Sequence, residues 1–284
     1  MKVDLVMWAK NGAKTLPSVL KRIDEVIPVE NVIEKIFVDD HSIDNSVEIA
    51  KSFNWKVYEN KEGFISGGAS EALKHVTSPF FISVEQDLLL AKDWWQKVPE
   101  HMKQDPKVAV AQGIRFPTTR VLRCLEEYSS ERFEATRINL SFDNNIFRTS
   151  IIRRIGGFPK QYPISVDLEL FDTLQNNGYR WVTDRNVISD HIRESVLHEV
   201  LHRRKLMMME RRQQWVDTSD VPKLVARLAF SPIRATHVMI KKKCPQVFFV
   251  YPLLRFMTIR EFLDRKKLRR QGKLGVVQRN TKNS

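Results

Sequence analysis

Cysteine is nearly missing from this chain. Two occur in 284 residues, Cys124 and Cys244, far apart in the sequence. They supply neither a disulfide framework nor a four-cysteine zinc site, and a reducing compartment is the default expectation. A long apolar run is also missing. The longest near the end, Val247–Leu254, holds eight residues and contains Pro252. A membrane span takes about 20, so no transmembrane helix is expected. The N-terminus runs straight into a strand-like stretch without the pattern of a signal peptide. Internal repeats and low-complexity tracts are absent, and the 42% apolar share supports a real core over disorder. Acidic residues are scarce at one end. Arg203–Ser284 carries 21 Lys/Arg against 5 Asp/Glu, a net of +16, whereas the whole chain is +13. Residues 1–202 therefore sum to about −3, and a slightly acidic body with a basic tail points to an anionic surface as partner.

What is present in the first half is alternation. Val3–Trp8 reads as an apolar strand. Thr15 is expected to cap a helix whose positions Leu16, Val19, Leu20, Ile23 and Ile27 recur at helical spacing, with Pro17 in its first turn. Ile36–Val38 is a second strand ending in Asp39-Asp40, and Asp44 is expected to cap a short helix. Trp55–Tyr58 is a third strand, Gly67–His75 a helix, and Phe80–Val84 a fourth strand ending in Glu85-Gln86-Asp87. This order predicts an α/β fold, a parallel sheet covered on both faces, whose ligands bind beyond the carboxyl ends of the strands. Both acidic clusters fall there. Further on, Val108–Gly113 and Asn145–Arg148 read as strands and Val121–Thr136 as a helix. Asp167–Asn177 is helical and stopped by Gly178, and Tyr179–Val182 is a strand. After Ile192 a long basic helix, about Glu194–Val216, leads to apolar patches broken by prolines.

Each polar cluster has a plain reading beside a chemical one. Glu85 and Asp87 are either solvated loop acids or ligands of a hard cation that neutralises a diphosphate leaving group. Asp39-Asp40 either serves turn chemistry or accepts hydrogen bonds from a nucleobase or ribose. Asp167 either complements a helix N-terminus or removes the proton of an acceptor hydroxyl. His191 is either a surface histidine or a further metal ligand.

Taken in order, these segments resemble the family 2 glycosyltransferases. The family's opening strand and Asn-bearing turn correspond to Val3–Asn11 followed by Leu16-Pro17. Its Val-Asp-Asp-Gly-Ser-x-Asp segment corresponds to Val38–Asp44, and its Asp-x-Asp position to Glu85-Gln86-Asp87. Gly156-Gly157-Phe158, Val166-Asp167, Gly178-Tyr179 and His191 follow in the family's order over about 1–192. Trp8-Ala9-Lys10 stands where the family usually has Pro-Thr-Tyr, Gly12 replaces a common acid, Glu85 replaces Asp, and Val166 replaces the Glu beside the base.

The resemblance implies a GT-A fold, Rossmann-like, in a catalytic domain of 1–192. Nucleotide-sugar binding would lie in about 1–113 and the acceptor side in about 114–192. Residues 193–284 would form a basic amphipathic helical tail at a membrane interface. It implies an inverting, metal-dependent hexosyl transfer from a UDP- or GDP-sugar. Ala9, Lys10, Asn11, Asp39, Asp40, Gly68, Glu85 and Gln86 would bind the nucleotide sugar. Asp87, Glu85 and His191 would hold Mn2+ or Mg2+, and Asp167 would be the catalytic base. The basic tail, whose Phe248–Tyr251 and Leu253–Phe256 patches are flanked by cations, points to an anionic membrane and a lipid-linked or glycan acceptor. No nucleic-acid motif accompanies it, and none is expected to bind. The expected location is peripheral, on the cytoplasmic face of the cell membrane. Two rival classes are a nucleotidyltransferase, which needs a longer Gly-rich basic loop than Asn11–Lys14, and a non-catalytic membrane protein of the same fold.

Overall fold

The computed structural model describes residues 1–132, 140–159, 166–197, 199–201 and 221–271. Eight strands form one sheet: β1 Val3–Ala9, β2 Val32–Asp39, β3 Lys56–Glu59, β4 Phe80–Ser83, β5 Leu88–Leu89, β6 Val108–Pro117, β7 Asn145–Arg148 and β8 Arg180–His191. Their order across the sheet is β3-β2-β1-β4-β7-β6-β8-β5. Strands β1 to β4 run parallel, β7 runs against both β4 and β6, and β8 runs with β6. The carboxyl ends of β1, β2, β4, β6 and β8 thus share one edge of the sheet, together with the amino end of β7.

β1 shows how the sequence builds this sheet. All seven of its residues are buried. Val3, Leu5 and Met7 point into one apolar layer with Leu16, Val19, Leu20 and Ile23 of α1 (Leu16–Val26). Val6 and Trp8 point into the opposite layer with Ala69 and Ala72 of α3 (Phe64–His75). Burying each large aliphatic side chain contributes about 1.5–3 kcal/mol, so α1 is held by its stripe. Asp4 breaks the apolar pattern but is not left unpaired. The N–H groups of Thr77 and Ser78 donate to its Oδ2 at 2.6 and 2.8 Å, and the Ser78 hydroxyl donates to Oδ1 at 2.7 Å.

Two caps differ from expectation. Thr15 stands at the N-cap of α1, but its hydroxyl donates back to the Gly12 carbonyl at 3.3 Å instead of accepting from the helix. Asn45 precedes α2 (Ser46–Ser52), and Asp44 lies one position earlier. Its carboxylate accepts from the Ser46 N–H and hydroxyl with Oδ1, and from the Ala13 N–H at 3.0 Å with Oδ2. The acid therefore ties the loop after β1 to the loop after β2.

The remaining helices of the sheet-bearing part are α4 Trp94–Lys97, α5 Glu100–Gln104, α7 Thr149–Arg154 and α8 Val166–Asn176, while α6 Arg120–Arg132 follows β6. The chain divides into two compact units, one of residues 1–118 and 130–192, the other of 119–129 and 193–284. In the second, α9 Val221–Ala229, α10 Ser231–Lys242 and α11 Val247–Arg270 are helical. Val121, Leu122, Leu125 and Tyr128 pack there with Ala235, Val238, Val247 and Tyr251. Cys124 and Cys244 lie in the same cluster, both as free thiols. Burial, together with the neighbouring Cys244 thiol, pushes the Cys124 thiol up to about 11. Of the long basic helix expected from 194 to 216, residues 196–197 and 199–201 are helical, Glu194 and Ser195 are not, and 202–216 lie outside the described residues. Among the described residues no helix is long and apolar enough to cross a membrane.

Candidate active site

Polar side chains gather at the shared strand edge. Glu85, Gln86 and Asp87 leave β4, and β5 begins at the next residue. β5 pairs with the end of β8, Leu88 opposite His191, and the Ile192 N–H donates to the Asp87 carbonyl at 2.7 Å. This short pairing brings an acidic loop and a histidine about a hundred residues later into contact. His191 Nε2 lies 3.3 Å from Asp87 Oδ2. Ligand atoms of Glu85, Asp87 and His191 all lie within 4.8 Å of one another. Two ligands opposite each other on one hard cation, each at about 2.1 Å, stand about 4.2 Å apart. The three side chains are close enough together that they would hold one divalent ion between them. Two carboxylates with one imidazole are also the donor types that manganese accepts.

Arg115, near the end of β6, lies against this group. Its Nη1 is 3.6 Å from Glu85 Oε2 and pairs with Asp143 Oδ2. Asp143 is fully buried just before β7. Asp167 opens α8 and accepts the Leu168 N–H at 2.9 Å. Burial pushes its carboxyl up to about 6, against the pull of that N–H and of Arg115, while Asp143 adds to the rise. Glu85, Asp143 and Asp167 therefore share the field of one guanidinium. Neither Arg115 nor Asp143 was singled out from the sequence. The expected strand stopped at Gly113, two residues short of Arg115. Asp143 precedes an antiparallel strand, so it reaches the edge from the amino end. A lone arginine, the one charged residue in the run Val108–Pro117, was the available signal.

The loops after β1 and β2 form the neighbouring part of the edge. Gln86 clasps the Lys10 backbone, its Oε1 accepting the N–H at 2.9 Å and its Nε2 donating to the carbonyl at 3.1 Å. Lys10 Nζ reaches the Asp40 carbonyl at 2.8 Å and its Oδ2 at 3.3 Å. The Asp40 N–H donates to the Ala9 carbonyl at 2.9 Å. Asn11, at φ 52°, donates its N–H to Ser42 Oγ and accepts the Ile43 N–H, both at 2.9 Å. Asp39 Oδ2 accepts the Ser42 N–H at 3.0 Å, and its buried Oδ1 has no hydrogen-bond partner among the described residues. Gly68 lies inside α3 where a β-carbon would come 2.6 Å from Trp8 Cβ. The structure thus brings Ala9, Lys10, Asn11, Asp39, Asp40 and Gln86 into one bonded group beside Glu85, whereas Gly68 supports it from below through Trp8.

The fold agrees with solved glycosyltransferases at low identity. A mannosyltransferase from Pyrobaculum calidifontis in complex with GDP-Man and Mn2+ superposes with a TM-score of 0.61 at 16% identity, covering 92% of this chain and 87% of that one. TarS from S. aureus in complex with UDP gives 0.55 at 16%, covering 96% and 92%. Glucosyl-3-phosphoglycerate synthase from Mycobacterium tuberculosis, with Mn2+, UDP and phosphoglyceric acid, gives 0.53 at 13%, covering 72% and 76%. No curated protein matches the sequence. The curled, largely parallel sheet flanked by helices is the GT-A fold. The family model described as glycosyl transferase family 2 matches residues 4–155, more than half of the chain. This protein is therefore a glycosyltransferase that belongs to glycosyl transferase family 2.

Proposed function

We propose that the chain moves a hexosyl group, with inversion at the anomeric carbon, from a UDP- or GDP-sugar to a hydroxyl or phosphate acceptor. The observation that carries this reading is the convergence at one sheet edge. Glu85, Asp87 and His191 have ligand atoms within 4.8 Å of one another, and the Asp39–Asp40 loop and the raised Asp167 carboxyl lie at the same edge. The mannosyltransferase and the glucosyl-3-phosphoglycerate synthase both carry Mn2+ with a nucleotide ligand, which supports Mn2+ or Mg2+ here.

Asp87, Glu85 and His191 hold the cation in this reading. A cation held there would supply charge neutralisation to the departing diphosphate. Asp39 offers its buried Oδ1, and Asp40 its carboxylate, to the nucleoside; Lys10 steadies Asp40 from beside it. Ala9, Asn11 and Gln86 fix the loop that carries these groups, and Gly68 lets α3 approach it. Asp167 takes the proton of an acceptor hydroxyl as that oxygen bonds to the anomeric carbon and the carbon–diphosphate bond breaks. A carboxyl near 6 is ionised at neutral pH and remains basic enough for the task. The acceptor is lipid-linked or otherwise membrane-borne, with the protein peripheral on a cytoplasmic membrane face. The excess of cations in residues 221–271, thirteen Lys/Arg against two Asp/Glu, supports this.

The test is a panel of nucleoside-diphosphate sugars, scored by release of nucleoside diphosphate with and without manganese. One donor is expected to be turned over in a metal-dependent manner. In calorimetry, Asp87→Ala is expected to lose metal-dependent nucleotide binding while its melting temperature holds, because Asp87 stands at the sheet edge. Unchanged nucleotide affinity in that variant removes Asp87 from the metal site.

A further inference from the structure

Helix α11 has two apolar sides. Val247, Tyr251 and Phe262 are buried, and Val250 and Leu254 pack against the cluster of the second unit. The opposite side is bare. Phe249 is 75% exposed, Leu253 50%, Phe256 54% and Leu263 51%. These four lie three, four or seven residues apart, so at 3.6 residues per turn they fall within an arc of about 80° along about 21 Å of helix. Arg260 and Lys267 fall in the same arc, Arg270 lies about 20° beyond its edge, and Lys266 flanks it. The apolar patches seen in the sequence therefore divide residue by residue: Val250, Tyr251 and Leu254 pack, while Phe248, Phe249, Leu253 and Phe256 are exposed. On α10, Ile233 and Ile240 are also exposed, seven residues apart and so on one side of that helix.

We propose that the outward stripe of α11 docks on an anionic lipid bilayer, with Phe249, Leu253, Phe256 and Leu263 in the interface and the C-terminal cations on the headgroups. A large apolar stripe exposed on a helix is an interaction site in soluble proteins, and charge decides its occupant. Residues 221–271 carry thirteen Lys/Arg against two Asp/Glu. A second copy complements the stripe poorly. Side by side in parallel, two such helices set Arg260 and Lys267 against their own kind, and in either direction a second copy brings the same excess of thirteen Lys/Arg over two Asp/Glu instead of an opposite charge. A bilayer interface takes both parts of the stripe at once, apolar rings at the acyl boundary and cations at the phosphates. Arg255 takes no part, because its guanidinium covers the Tyr251 ring and donates to its hydroxyl at 2.9 Å. The proposal deepens the reading of a membrane-borne acceptor and rests on it for its purpose, while its test is independent of sugar transfer.

Full-length protein is mixed, without donor or acceptor, with vesicles of phosphatidylcholine alone or with phosphatidylglycerol added, and sedimented at several salt concentrations. Binding is expected to the anionic vesicles and to weaken as salt rises. Phe249→Ser/Phe256→Ser/Leu263→Ser is expected to keep its melting temperature, since those side chains face out, and to bind at least tenfold more weakly. Lys266→Glu/Lys267→Glu/Arg270→Glu is expected to lose binding to a similar degree with the apolar stripe intact. Wild type that leaves anionic vesicles unbound, or both variants binding like wild type, overturns the proposal. A dimer seen by light scattering and abolished by the serine variant gives the face to a second copy and overturns it too, as does nucleic-acid binding without vesicle binding. Vesicle binding with no sugar transfer would instead count against the proposed reaction, and the reverse result against the surface alone.

Discussion

Arg115 stands among three carboxylates, and removing it has two separable consequences. Asp143 is fully buried against it. Arg115→Gln leaves that carboxylate without its cation, which costs about 3 kcal/mol; thermal melting is expected to show the loss. Arg115→Lys keeps the charge without the planar fork and is expected to recover part of it. The second consequence is electrostatic. Arg115 pulls the Asp167 carboxyl downward from where burial sets it, so the glutamine variant moves the acid limb of the rate profile to higher pH. In the unaltered enzyme kcat/KM is expected to rise with pH through about 6, as Asp167 loses its proton and becomes able to accept one. Asp167→Asn abolishes that limb and lowers kcat by roughly 10²-fold with little change in donor affinity; a large loss of donor affinity at normal kcat would make Asp167 a binding residue. Stability runs the other way. Asp167 holds its proton up to about 6 when folded and to 3.8 in an ordinary setting. Between those values the folded chain binds more proton, so this residue's contribution to stability is present below about 4 and falls as pH rises to about 6. A flat difference in melting temperature between wild type and Asp167→Asn across that window would contradict the raised carboxyl.

Helix α3 enters the site as a support, and its glycines show why. Alanine in place of Gly68 gains about 1 kcal/mol of helix propensity. Its β-carbon, however, would sit 2.6 Å from Trp8 Cβ, a rigid point on β1 and not the end of a flexible chain. Overpacking of this kind costs about 1–3 kcal/mol, so the balance is destabilising. Gly68→Ala is expected to lower the melting temperature and, by shifting β1 under Lys10 and Asn11, to weaken nucleotide binding; a variant as stable as wild type would show that Trp8 yields. Elements of this kind were legible in the sequence wherever an apolar pattern ran unbroken. The first four strands, α1 and the ends carrying Asp39-Asp40 and Glu85–Asp87 follow from alternation and spacing. β8 was read as four residues and has twelve, because Thr183–Asn186 is polar and crosses a register shift against β6. β5, two residues long, has no pattern to read, yet its pairing with β8 is what sets His191 beside Asp87. The direction of β7 was equally hidden, and with it Asp143. Which side chains of the Phe248–Tyr251 and Leu253–Phe256 patches face outward is hidden for a different reason. A helix apolar on two opposite sides shows little one-sided periodicity, and exposure separates the two.

At the scale of the whole chain, charge and sulfur are distributed in ways that the fold explains. The cations concentrated after residue 202 could be counted from the sequence, but their partner could not, since counting does not reveal which apolar side chains are bare. The two cysteines looked unrelated when separated by most of the second half of the chain. Folding places both in the apolar cluster of the second unit, Cys124 on α6 and Cys244 between α10 and α11, with Cys124 raised to about 11. A thiol at that value is ionised in roughly one molecule in ten thousand at neutral pH. An aromatic disulfide reagent is therefore expected to label neither cysteine over minutes in native buffer and two per chain once the protein is denatured; prompt labelling of both in native buffer would contradict this packing. Because reaction must wait for the cluster to open, the labelling rate measured against urea reports the free energy of local opening in the second unit. The scarcity of cysteine thus becomes useful: the chain carries its own pair of chemical timers, both buried among the helices that include α11, and their rate with and without vesicles would read how far a bound surface steadies that unit without any added label.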